Sequence, residues 1–144
     1  MNIPRSSIRR PLVLGLMLLL GAGAFFTASA DELSATDQQF LGAYVRVHDA
    51  LAADDLPGAV KAAGALPDNA GAPLAHAKSL SDARSAFAPL SVRAEKLAAG
   101  QPKYHVFYCP MANKDWVQTD PKVMNPYLGK DMLDCGEEKK KSAQ

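Results

Sequence analysis

The sequence predicts a mainly α fold, a small up-and-down bundle of three to four helices followed by a short strand-and-loop motif. Three observations predict it. Between Asp31 and Gly100 apolar residues recur at spacings of three and four, the signature of helical faces. Short breaks bearing Asp, Pro and Gly divide that stretch at helix-like intervals. From Gln101 onward the chain becomes aromatic and β-prone, and every Cys and Met after residue 30 falls between Cys109 and Cys135.

Taken in order, residues 1–30 read as an export signal. Arg5, Arg9 and Arg10 form a basic opening, Leu12 to Phe26 an apolar run of 15 residues, and Ala28-Ser29-Ala30 a small-residue cleavage site before Asp31. The run is short for a bilayer-crossing helix of about 20 residues. A cleaved, periplasmic protein with no stable membrane insertion is expected, in an oxidising compartment. Residues 31–136 have the length of one domain.

The first helix is expected after a cap at Ser34 or Thr36, with Phe40, Leu41, Tyr44, Val45, His48, Leu51 and Ala52 on one face. Asp54-Asp55 before Leu56-Pro57 caps a second, shorter helix ending near Leu66. Pro67 to Pro73 is a loop, and a third helix runs from about Leu74 to Phe87. Pro89 kinks it or opens a fourth that stops at Gly100. Short connections imply antiparallel neighbours. Tyr104 to Tyr108 reads as a strand, Asn125 to Gly129 as a turn, and residues 137–144 as a disordered, solvated tail. Trp116 is expected to anchor the C-terminal segment onto the bundle.

Charge narrows the function. All 15 acidic residues follow position 30, while three of the 16 basic ones precede it, so the exported chain is weakly acidic. Its only basic run is Lys139-Lys140-Lys141, which argues against nucleic acid and against an electrostatic membrane anchor. No phosphate-binding loop, nucleophile elbow or Ser–His–acid set is present, so the chain reads as non-catalytic.

The chemistry gathers in the 27 residues holding Cys109, Met111, Met124, Met132 and Cys135, with His105 just upstream. In a strand His105, Phe107, Cys109 and Met111 would share a face, and Met132 and Cys135 would share a helical turn. Thiolate and thioether are soft ligands that favour Cu(I), and imidazole extends such a site. Paired thiols or paired histidines, as structural zinc requires, are missing. Two cysteines in an exported domain equally suit a structural disulfide, which here would close a loop of roughly 25 residues and contribute about 3 kcal/mol. Composition leaves both readings open. His48, on an apolar helical face, reads as a buried, hydrogen-bonded histidine, and His76 as exposed.

Cys109-Pro110-Met111-Ala112, Trp116-Val117-Gln118, Asn125-Pro126-Tyr127-Leu128-Gly129 and Met132-Leu133-Asp134-Cys135-Gly136 together resemble the C-terminal signature of the exported family called domain of unknown function 3347. The Ala-rich stretch from Ala50 to Leu66 resembles that family's N-terminal half. The resemblance implies a domain that stands alone or is appended to adaptor proteins of copper/silver efflux pumps. The expectation is therefore a periplasmic Cu(I)-binding protein that sequesters the ion or delivers it to an efflux system. Cys109, Cys135, Met111 and Met132 would be its main ligands, with His105 and Met124 as further candidates, and an efflux adaptor or other envelope protein its partner. The opposing expectation is a non-catalytic structural or interaction domain stapled by Cys109–Cys135.

Overall fold

The computed structural model describes residues 32–140; the expected export signal over residues 1–30 lies outside them, as do residue 31 and the last four residues. The described residues are predominantly helical, with four α-helices and a three-stranded antiparallel sheet. Among the described residues no helix is long and apolar enough to cross a membrane.

Helix α1 spans Ala35–Ala52, and Ser34 caps it by accepting a hydrogen bond from the Asp37 amide. Its buried face is Phe40, Leu41, Tyr44, Val47, His48 and Leu51, with Val47 buried where Val45 was expected. Helix α2, Leu56–Ala63, starts at the Asp55 cap, whose Oδ1 accepts from the Gly58 amide at 2.9 Å. It stops three residues before the expected Leu66.

The segment after it departs further from expectation. Pro67–Asn69 is a 3-10 turn and helix α3 is only Ala72–Ala75. One long helix, α4, runs from Leu80 to Ala98 and carries Pro89 in its middle. Two causes override the proline. Ser79 supplies the cap for a start at Leu80, accepting from the Asp82 amide. Ala83, Phe87, Leu90, Ala94 and Ala98 then form one unbroken buried stripe across the proline. Burying each large member of that stripe contributes about 1.5–3 kcal/mol. Pro89 and Ser85, whose carbonyl loses its helical donor, are both exposed, so the missing bond falls on the solvent side of the helix rather than in the core.

The C-terminal part is a true sheet. Strand β1, His105–Cys109, lies between β2, Lys114–Gln118, and β3, Glu137–Glu138, antiparallel to both. The tail expectation is thus corrected over 137–140. Glu137 and Glu138 pair with Tyr108 and Phe107, and the Lys139 amide donates to the Val106 carbonyl at 2.8 Å.

A run of aromatic rings joins the two parts. Tyr44 of α1 stacks on Phe87 of α4 at 4.8 Å between centroids, Phe87 meets Tyr127 at 5.7 Å, and Tyr127 meets the edge of Trp116 at 6.4 Å. Trp116, fully buried, then stacks on Phe107. The Tyr44 hydroxyl lies 2.8 Å from Ser91 Oγ and accepts from the Val117 amide at 3.1 Å, bonding both helices to β2. Burial pushes the Tyr127 phenol up to about 12, so it stays a neutral donor, here toward Ser91 Oγ and the Asp115 carbonyl.

Candidate functional site

Cys109 ends β1, and the chain then reverses through Pro110-Met111-Ala112-Asn113 into β2. Asn113 takes the left-handed conformation the reversal needs, with φ 51°, and its side chain accepts from the Tyr108 hydroxyl. The turn folds back on the thiol, so that the Ala112 amide lies 3.4 Å from Cys109 Sγ.

Cys135 arrives from the other side. A 3-10 turn at Gly129–Met132 precedes it, and its amide donates to the Met132 carbonyl. Strand register does the rest. With Phe107 opposite Glu138 and Tyr108 opposite Glu137, one further step sets Gly136 opposite Cys109 and Cys135 beside it. Gly136 must be glycine, because a Cβ there would lie 2.5 Å from the Trp116 ring. The two sulfurs are 2.7 Å apart, both as free thiols.

Five polar side chains hold the connecting loop. Gln118 accepts from Trp116 Nε1 and from the Met124 amide, and donates to the carbonyls of Asp120 and Lys122. His48 bonds the Met124 carbonyl through Nε2 at 2.9 Å, which fixes a proton on that nitrogen, while Nδ1 faces Asp49. Asn125 accepts from the amides of Tyr127 and Leu128 and donates to the Cys135 carbonyl at 2.6 Å. All three are fully buried. Arg84 of α4 donates to the Pro126 and Leu51 carbonyls and pairs with Asp54, whose other oxygen accepts from the Lys130 amide. Asp54 therefore clamps the loop, whereas Asp55 alone is the helix cap.

The thiols differ. Burial pushes the Cys109 thiol up, but bonding from Cys135, the Ala112 and Met111 amides and Asn125 outweighs it, and the net shift is downward. Cys135 is raised, first by its bond to Cys109, then by burial and by the charges of Cys109 and Asp134, against a smaller opposing effect of the Met111 amide. Cys109 has no exposed surface, whereas Cys135 is half-buried.

Of the six candidate ligands, Cys109 and Cys135 are brought together. Met111 and Met132 flank them on the turns just described, 66% and 37% exposed. Met111 lies beyond the end of β1, so it does not continue the strand face as expected. His105 sits at the far end of β1, bonded to Glu138 at 2.7 Å. Four residues of extended chain separate it from Cys109 by roughly 13 Å, which removes it from a shared ion. Met124 serves the fold through its backbone, held by His48 and Gln118. Among the described residues no three His, Cys, Asp or Glu side chains converge as a metal site. An ion on the cysteine pair would draw further ligands from thioether, backbone or outside the chain.

The residues that sequence reasoning missed are Asn125, Gln118, Arg84 and Asp54. Asn125-Pro126 was legible as a turn, but nothing local marks its side chain as buried. Compared with known proteins, the chain matches no family model, no curated protein and no solved structure.

Proposed function

We propose that the chain is an exported, non-catalytic copper-handling protein that binds one Cu(I) ion at Cys109 and Cys135. It would sequester the ion in the periplasm or pass it to an efflux adaptor. The observation that carries this reading is the thiol pair itself, two sulfurs within reach of one ion with methionine-bearing turns on either side. Cu(I) takes two to four soft ligands, and a thioether completes such a shell without locking it. On this reading the helices, as an up-and-down bundle, serve as the platform for the C-terminal motif.

Anaerobic titration of reduced protein with Cu(I) against a competing chelator tests it. One ion per chain is expected. Cys109→Ser or Cys135→Ser should abolish tight binding, because a hydroxyl is a poor ligand for a soft ion. Met111→Leu and Met132→Leu should weaken binding while costing under about 1.5 kcal/mol of stability. No affinity above that of isolated side chains would end the copper reading.

A second reading is favoured by the same short sulfur approach: the pair closes as a structural disulfide. Both cysteine variants would then lose stability equally, by about 2–5 kcal/mol, and the methionine variants would change no titration.

A further inference from the structure

The two sulfurs are already adjacent, and they are chemically unequal. Cys109 Sγ is closed off under the Pro110–Asn113 turn, whereas Cys135 keeps part of its surface in solvent. The turn also aims the Ala112 amide at Cys109 Sγ, 3.4 Å away, where it would stabilise negative charge. Cys135 has the opposite setting, with the Asp134 carboxylate beside it in the chain and Asp131, Glu137 and Glu138 exposed nearby.

We propose that Cys109 and Cys135 form a reversible dithiol–disulfide couple in which an external thiolate attacks only Cys135 and Cys109 is always the leaving group. A reductant thiolate attacks Cys135 Sγ, a bond forms between those two sulfurs, the Cys109–Cys135 bond breaks, and Cys109 departs as a thiolate. A second thiolate of the reductant then attacks its own sulfur in the mixed disulfide. Cys135 leaves and takes up a proton, and two electrons have passed from reductant to pair. Access selects the attacked sulfur, and the amide-stabilised sulfur leaves faster. The attacking thiolate can belong to a dithiol oxidoreductase or to a small thiol, and the chemistry at Cys135 is the same. The couple does not depend on copper, although reduction would regenerate the dithiol that the copper reading needs.

The test uses the unmodified protein, oxidised without metal. One portion is challenged with glutathione, another with a thioredoxin-fold dithiol whose resolving cysteine is replaced by serine. After quenching with N-ethylmaleimide and tryptic digestion, cleavage at Lys114, Lys130 and Lys139 puts Cys109 and Cys135 on separate peptides. The expected result is reductant on Cys135 and maleimide on Cys109, in about tenfold excess over the reverse. The faster of the two reductants identifies the source. An even split, a preference for Cys109, or an oxidised pair that resists both reductants overturns the proposal. None of these outcomes bears on Cu(I) titration of the reduced protein, so the two readings fail separately. A second measurement guards against adduct migration: because Cys109 has no exposed surface, in reduced protein Cys109→Ser should react with a chromogenic disulfide at least about tenfold faster than Cys135→Ser.

Discussion

The helical part, up to Gly100, and the C-terminal part, from Gln101, are held together by different physics. In the first, the core is a set of apolar stripes, and the polar side chains mostly cap helix ends. In the second, only a handful of apolar side chains are buried, and His48, Gln118, Asn125 and the Arg84–Asp54 pair hold the loop backbone through directed bonds. Apolar burial is non-directional and tolerates volume-conserving exchange. Directed bonds fix atoms to a few tenths of an ångström, and each buried group left unpaired costs about 1–3 kcal/mol. The sulfurs sit in the part whose positions are fixed by direction.

The sharpest way to break this contrast is at glycine. Gly129 has φ 62°, and a Cβ there would fall 1.9 Å from Asp54 Oδ1 and 2.3 Å from an Arg84 nitrogen. Gly129→Ala would add backbone strain and displace the clamp, for an expected loss of about 3 kcal/mol in urea unfolding. Gly100 ends α4 with φ 75° but has nothing within 4 Å of a Cβ, so Gly100→Ala should cost only about 1 kcal/mol. Equal losses would mean that the loop is not specifically clamped.

Asn125→Ala comes next. It frees two amides and the Cys135 carbonyl, and about 2 kcal/mol should be lost. Cys135 alkylation in reduced protein should speed up with it. Ser91→Ala, in the helical part, should cost about 1 kcal/mol and leave Cys135 unchanged. A Ser91 variant that accelerated Cys135 as much would erase the distinction.

This contrast also explains what the sequence made legible. Helix existence, the Ser34 and Asp55 caps, the Gly100 stop and the β1 strand follow from periodicity and local chemistry. Pro89 misled because a local cost of about 3 kcal/mol was weighed without the tertiary stripe that outweighs it. Met132 and Cys135 share a turn, as their spacing implied. The convergence of Cys109 and Cys135 depended on β3, a two-residue strand of glutamates with no β-propensity to announce it. Ending the chain after Gly136 should therefore leave the helices intact, cost about 1 kcal/mol, and raise the Cys135 alkylation rate several-fold. An unchanged rate would show that Asn125 alone places Cys135.

The smallest expected effect is electrostatic. Burial works against the Asp54 charge, yet the Lys130 amide and Arg84 outweigh it, and the carboxyl is held below its ordinary value of 3.8. A group depressed in this way stabilises the fold fully above its unfolded value, and the contribution is lost as pH falls through the lower folded-state value. Both Asp54 and its partner are partly exposed, so the loss is under about 1 kcal/mol. Asp37 at the α1 cap is also lowered, chiefly by the Ser34 hydroxyl, and provides the matching acid response in the helical part. The single, buried Trp116 reports on the C-terminal part, while far-ultraviolet dichroism reports mostly on the helices. Between pH 6 and pH 3 the urea midpoint read by Trp116 fluorescence should fall, and Asp54→Asn should flatten that fall. Asp37→Asn should instead act on the helical signal. If Asp54→Asn leaves the fluorescence midpoint as acid-sensitive as before, the clamp is not electrostatic, and the bond of Arg84 to the Pro126 carbonyl, with Arg84 anchored on the Leu51 carbonyl of α1, carries it alone.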